Sequence, residues 1–146
     1  MSGHLSLPGE GKLYQALGTA ARVKATGKET GGSCEVIEID FPPALGLPPH
    51  SHTSSDEAFY VLEGELSCQV GDRTVKGRPG TFGFVPRGTA HAFENAGAGT
   101  ASALIWTVPI FGVEGLLEEL SQLPPGPPDM AKVLPILQKY GMVMAG

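Results

Sequence analysis

The chain is poor in cysteine, in basic residues and in long apolar runs. Its two cysteines, Cys34 and Cys68, lack the close spacing of a zinc or redox pair. They read as reduced thiols packed like small hydrophobes. No block of Lys or Arg occurs, and the net charge is −5. Phosphate binding wants a basic face, so nucleic acid is not an expected partner. No apolar run approaches the length of a bilayer span, so no membrane association is expected either. Residues Met1 to Glu10 lack the basic start and apolar core of a signal peptide, and the expected location is cytoplasmic. Charged residues make up 17% of the chain and hydrophobic ones 41%, which is not a disordered composition. With 146 residues, the expectation is one domain spanning 1–146.

What the chain does have is punctuation. Twenty-one glycines and thirteen prolines separate many short β-like runs. That is the pattern of a sandwich or barrel rather than of βαβ units. Arg22 to Thr26 reads as a first strand, followed by a loop over Gly27 to Gly32. From Cys34 to Phe41 the alternation is clear: Ile37, Ile39 and Phe41 face one way, Glu38 and Asp40 the other. Pro42 to Pro49 reads as a rigid loop. Further strands are expected at Phe59–Leu62, Glu65–Val70, Arg73–Val75, Thr81–Val85, Ala90–Glu94 and Ala101–Val108. After Pro109 the period changes. Val113, Leu116, Leu117 and Leu120 form a helical stripe, and Met130, Val133, Leu134 and Leu137 form a second one behind Asp129 as N-cap. Pro135 is expected to kink that helix or begin a new one, and Gly141 to end it.

Two stretches carry chemistry. In Pro48 to Gly64, His50 and His52 are two apart, so on a strand they share a face and can grip one ion. Glu57 follows a short Ser/Thr loop and shares a strand face with Phe59 and Val61. A carboxylate with those neighbours points into a core, where it is costly unless a cation lies beside it. In Pro79 to Asn95, His91 follows a Pro-Arg-Gly turn. Three of the four histidines fall in these two stretches, while His4 lies in a polar leader and is expected to be exposed. The expected metal ligands are His50, His52, Glu57 and His91. Three imidazoles and one carboxylate suit a single divalent transition metal: Fe, Mn, Co, Ni, Cu or Zn. Four protein ligands leave an open position, which suits a chemical centre, with a structural staple as the alternative. Inward-facing pocket residues are expected to be Phe41, Phe59, Val61, Phe84, Phe93 and Trp106, with Tyr14, Tyr60, Gln69 and Thr107 as the few polar groups near by. Such a wall suits a flat apolar or aromatic small molecule better than a sugar or phosphate.

At these residues the sequence resembles the cupin superfamily. His50, His52, Glu57 and Gly64 match the core of its first motif, although the leading glycine falls on Ala44. Gly80, Pro86, Gly88, His91 and Asn95 match the second motif at every position. Within the cupins, the chain is similar to small single-domain proteins grouped with quercetin dioxygenases. The matching stretches include Asp56 to Gly64, Phe84 to Phe93, Gly112 to Leu120 and Lys139 to Gly141. The resemblance implies an all-β fold: a jelly-roll barrel of two antiparallel sheets over about residues 20–109, with C-terminal helices over about 110–146 packed outside it. It also implies a homodimer. The activity implied is that of a metal-dependent dioxygenase acting on a flavonol or another phenolic or enolic compound, with dioxygen as co-substrate and Glu57 as catalytic proton acceptor. The alternatives are a non-oxidative metal-dependent isomerase, cyclase or lyase, and a non-catalytic small-molecule binder.

Overall fold

The computed structural model describes residues 3–145. Eleven strands among the described residues form two antiparallel sheets packed face to face. The six-stranded sheet runs β1 (Leu13–Ala16), β2 (Thr19–Ala25), β3 (Glu35–Phe41), β10 (Ala101–Val108), β5 (Asp56–Glu63), β8 (Phe82–Val85). The five-stranded sheet runs β11 (Met142–Met144), β4 (Gly46–His52), β9 (His91–Glu94), β6 (Leu66–Val70), β7 (Arg73–Gly77). This is the expected jelly roll.

The core sits between the sheets because each long strand alternates. In β3, Glu35, Ile37, Ile39 and Phe41 are buried and the residues between them are not. In β5, Glu57, Phe59 and Val61 are buried, while Tyr60 and Leu62 face solvent. The turn after β5 needs a glycine at 64: φ is 72°, and a Cβ would lie 2.7 Å from the Thr100 carbonyl oxygen. The motif's other glycine position is instructive. Ala44, where the motif has Gly, also has a positive φ of 66°, a conformation that costs a Cβ-bearing residue free energy.

Several boundaries differ from expectation. The short hairpin partner β1 precedes the expected first strand, and Gly27–Thr30 forms a short helix, α1, capped by Thr26. The Pro42–Pro49 segment is not all loop, since β4 begins at Gly46 and passes Pro48 and Pro49 through a bulge opposite β9. The first C-terminal helix, α2, spans Val113–Ser121, and the second, α3, spans Met130–Lys139. Helix α3 does not restart at Pro135. It ends at Tyr140, with Gly141 at φ 75°. The chain then returns as β11, which pairs Met142 with His52 and Met144 with His50. The tail is therefore not only helical: it supplies the edge strand beside the two histidines. No helix among the described residues is long and apolar enough to cross a membrane. Cys34 and Cys68 are free thiols, and burial pushes the Cys68 thiol up to about 11.

Candidate metal centre

Strands β4 and β9 are neighbours, and their register sets His50 directly opposite His91. His52 lies two residues further on the same face of β4. The His50 and His91 ring centroids are 4.2 Å apart, and His52 lies 5.4 Å from each. One ligand nitrogen from each of the three comes within 4.8 Å of the other two. All three are buried.

Local bonds fix the orientation of two of them. The Nδ1–H of His50 donates to the Pro48 carbonyl at 2.9 Å, and that of His91 to the Thr89 carbonyl at 3.1 Å. Each bond assigns the proton to Nδ1 and leaves the Nε2 lone pair for a metal. The second-motif turn holds the first motif as well, since Gly88 N–H donates to the His52 carbonyl at 2.8 Å. Asn95 is fully buried and structural. Its amide donates to Phe41 and Gly99 carbonyls, both at 2.8 Å, and accepts from Gly97 N–H at 3.0 Å.

Glu57 enters from the facing sheet. Its Oε1 is 3.2 Å from His52 Nε2, and its Oε2 is 3.1 Å from His91 Nε2. These contacts are close but not aligned as hydrogen bonds. Both nitrogens of His52, Nε2 of His91 and Oε2 of Glu57 are buried without a hydrogen-bond partner. Orphaned buried polar atoms are rare and costly in proteins. Three of them, His52 Nε2, His91 Nε2 and Glu57 Oε2, face one another and are what a cation would satisfy, so the residues fit the expected metal. The three imidazoles form the cluster proper, with Glu57 against its side.

A cupin-domain family model matches residues 37–108, the segment that carries every one of these side chains. The barrel is a cupin. Among curated relatives, quercetin 2,3-dioxygenase of Bacillus subtilis (strain 168) is 29% identical over 86 residues, 59% of this chain and 26% of that protein. Tetracenomycin polyketide synthase protein TcmJ of Streptomyces glaucescens is 32% identical over 88 residues, 60% of this chain and 55% of that protein. The chain thus spans about a quarter of the first of these relatives and about half of the second. Among solved structures, the polyketide cyclase RemF from Streptomyces resistomycificus superposes with a TM-score of 0.64 at 24% identity, over 73% of this chain and 80% of that one. A predicted oxalate decarboxylase from Thermotoga maritima gives 0.67 at 17% identity, over 73% of this chain and 100% of that one. At these identities the structural likeness speaks for the cupin fold alone.

The charge state of the cupin centre follows from its burial. Burial pushes the His50 imidazole down to about 4, helped by the neighbouring His91. For Glu57, burial pushes upward, but the adjacent His52 and His91 outweigh it and leave the carboxyl at about 2. Burial lowers His91, and Glu57 more than reverses that, so His91 is raised. At neutral pH, Glu57 is therefore ionised and His50 neutral, the forms a metal takes.

Beside the centre lies a cavity of about 90 Å³. Ile37, Ile39 and Ile105 wall it from the six-stranded sheet, and Phe111, Leu116 and Leu120 from the C-terminal segment. The helices pack outside the strands, as expected, and they also close this end of the barrel. Of the expected pocket residues, Phe93 lines the cavity. Phe41, Phe59 and Val61 are buried in the core away from it.

Phe84 and Trp106 do not face inward. In the register across β10, β5 and β8, Trp106 aligns with Ala58 and Phe84, while Thr107 aligns with Glu57 and Val85. The second row is the inner one. Phe84 is 55% exposed, and Trp106 is half-buried on the outer face against Phe82. Gly83 of β8 also faces inward, and its missing side chain leaves room for the Phe59 ring.

A polar group not singled out from the sequence is Glu35. It is 3% exposed and lines the cavity. Its signal was its period: it falls two before Ile37 on the same strand face.

Proposed function

We propose that this cupin is a metal-dependent enzyme, a dioxygenase of a small phenolic or enolic compound that binds beside the three-histidine centre. The observation that supports this reading best is the convergence of three buried imidazoles, two of them tautomer-fixed, and one ionised carboxylate at the wall of a largely apolar cavity. His50, His52 and His91 would hold the metal through nitrogen, with Glu57 next to them as an oxygen ligand or as a base. A bound divalent transition metal would supply Lewis acidity toward a deprotonated hydroxyl and, if redox-active, an electron path to dioxygen. Glu57 accepts the hydroxyl proton, for which its ionised form and its position within 3.2 Å of His52 suit it. The isoleucine and leucine walls keep water out.

The cavity narrows the substrate. Sites for drug-sized ligands are ~300–1,000 Å³, and this one is about 90 Å³. A single ring or a short enol matches it better than a three-ring flavonol, which would require α2 and α3 to move. The similarity to a polyketide synthase protein supports a second reading, a non-oxidative isomerase or cyclase using the same residues.

We also propose a homodimer through the outer face of the six-stranded sheet. Tyr60, Leu62, Phe82, Phe84 and Val108, each more than 40% exposed, form an apolar field on the outer face of β5, β8 and β10. On the same face, β2 and β3 carry Arg22, Lys24, Glu38 and Asp40 as a mixed-charge margin. Aromatic side chains of ~200 Å² each, half exposed, bring the field to roughly 500 Å² per copy. Two copies face to face would bury about 1,000 Å², the lower end for a specific interface, with an apolar centre and polar rim.

The deciding experiment is elemental analysis of the purified protein followed by oxygen uptake with single-ring phenols and enols. Glu57→Gln is then compared with wild type as turnover per bound metal ion. The variant should retain metal through its imidazoles and lose ~10²–10⁴-fold in turnover per ion. An unchanged ratio would leave Glu57 as a ligand or bystander. Product formation without oxygen uptake would select the non-oxidative reading.

A further inference from the structure

One row of the inner face is polar. Across β3, β10 and β5, the register aligns Glu35 with Thr107 and Thr107 with Glu57. The Glu35 carboxylate accepts four hydrogen bonds. Thr107 Oγ1–H donates at 3.1 Å, Phe111 N–H at 3.0 Å, and Gly112 and Val113 N–H at 2.8 Å each. A carboxylate offers about four lone-pair sites, so this one is saturated. It has nothing left to accept with, and an ionised carboxylate has no proton to give.

This fixes the polarity of Thr107. A threonine hydroxyl has one proton and two lone pairs. The proton is committed to Glu35, so Thr107 can offer the cavity only acceptor capacity. The other cavity threonine is in the same state, because Thr19 Oγ1–H donates to the Ala16 carbonyl at 2.7 Å. Apart from the centre's own histidines and Glu57, no side chain lining the cavity has a hydrogen-bond donor to give. A ligand oxygen that can only accept, such as a second carboxylate, would face threonine lone pairs with the negative Glu35 behind them. A ligand O–H or N–H would find a partner.

We propose that Thr107 is a specificity-determining residue. From compounds small enough for the cavity and anchored to the centre by one anionic atom, it selects those with a second hydroxyl or N–H donor and disfavours dianions. The proposal rests on the reading of the three histidines as a metal centre. It narrows the substrate class to a monoanion that keeps a hydrogen-bond donor.

The test uses two isosteric thiols on the cobalt(II)-loaded protein, 2-mercaptoethanol and 1-propanethiol. Each has four heavy atoms, and they differ by a terminal hydroxyl in place of a methyl. Binding is read from thiolate-to-cobalt charge-transfer absorption, so no turnover is needed. The quantity measured is the ratio of the two dissociation constants. Thr107→Val keeps the shape and removes the acceptor, and Glu35 retains its three backbone donors. The preference for 2-mercaptoethanol should fall about tenfold in Thr107→Val, the worth of one net hydrogen bond. Thr107→Ser should keep the wild-type ratio. An equal ratio in wild type and Thr107→Val, with cobalt bound and both thiols binding, overturns the proposal and leaves the metal centre standing. A cobalt-loaded protein that takes up neither thiol overturns it as well. Failure to load cobalt at all, seen in the visible d–d bands and by elemental analysis, overturns the metal-centre reading together with this one.

Discussion

Replacing Glu35 should cost more stability than replacing any surface charge, and the amount can be worked from its bonds. Helix α2 has Gly112 as N-cap and therefore no capping side chain of its own. The N–H groups of Phe111, Gly112 and Val113 depend on Glu35, which reaches them from the barrel wall. In Glu35→Ala all three lose their partner, together with the Thr107 hydroxyl. An unsatisfied buried donor costs about 1–3 kcal/mol, less where water can follow the vacated side chain. The total should be about 4 kcal/mol, a large part of the ~5–15 kcal/mol that holds a domain together. Glu35→Gln is the sharper test. Its amide oxygen can serve Gly112 and Val113, and the Thr107 hydroxyl can turn and accept from the new amide nitrogen. Phe111 N–H cannot turn, and it is left facing another donor. The favourable charge at the α2 N-terminus is lost as well, worth ~0.3–1 kcal/mol. The expected loss is about 2 kcal/mol. Urea unfolding of metal-free protein, followed by far-ultraviolet circular dichroism, measures both. With a slope of ~2 kcal/mol/M, the midpoint should fall by about 1 M for Gln and about 2 M for Ala. A shift below ~0.3 M for Glu35→Ala would show that water replaces the carboxylate without cost, and that the buried latch between barrel and helix is not one.

Ala44→Gly should stabilise the fold, because Ala44 holds φ at 66°, a region costing ~1–2 kcal/mol for a residue with a Cβ; a rise in melting temperature is expected, and a fall would refute it. Acid should destabilise the metal-free protein through His50. Its folded value of about 4 lies below the unfolded 6.5, so the unfolded chain takes the proton first, and the contribution is complete above 6.5 and lost as pH falls toward 4. The stability difference between wild type and His50→Gln should shrink by ~2–3 kcal/mol from pH 7 to 4.5, and a constant difference would refute the buried neutral imidazole. On the outer face, Phe84→Glu should give a monomer by light scattering with an unchanged circular dichroism spectrum, because the side chain is 55% exposed and its loss opens no core. A wild-type monomer at micromolar concentration would refute the interface.

The residues of the candidate metal centre were legible because their spacing is local. His50 and His52 share a face through strand period alone, and Glu57 and His91 stand at fixed distances from turn-forming glycines and prolines. The strands were legible where alternation was clean, as in β3. The N-terminal hairpin was not, since Leu13–Ala16 is too short to show a period, nor was β11, a strand of three residues that exists only because β4 offers it an edge. Pro135 was expected to kink α3 or begin a new helix; no new helix begins there, and Val133 and Leu137 are buried on either side of it within one helix.

The errors over Phe84 and Trp106 have one cause. Within Gly83-Phe84, size and hydrophobicity place the phenylalanine inside; within Trp106-Thr107, they place the tryptophan inside. The structure inverts both. Gly83 faces in because Phe59 already fills that space, and Thr107 faces in because its strand neighbours are Glu35 and Glu57. A single strand cannot reveal this, because the choice of face belongs to the whole row across the sheet. Where a row goes against the hydrophobic pattern, something other than packing holds it there. Sequences that fold reliably keep pattern and structure in agreement and depart from that at functional sites. The departing row here is Glu35–Thr107–Glu57, which begins at the latch on α2 and ends at the three-histidine centre. Its inward polar groups and its outward apolar partners follow from the same alternation. The polar row and the apolar field proposed for the dimer share β5 and β10 and lie on opposite faces of them.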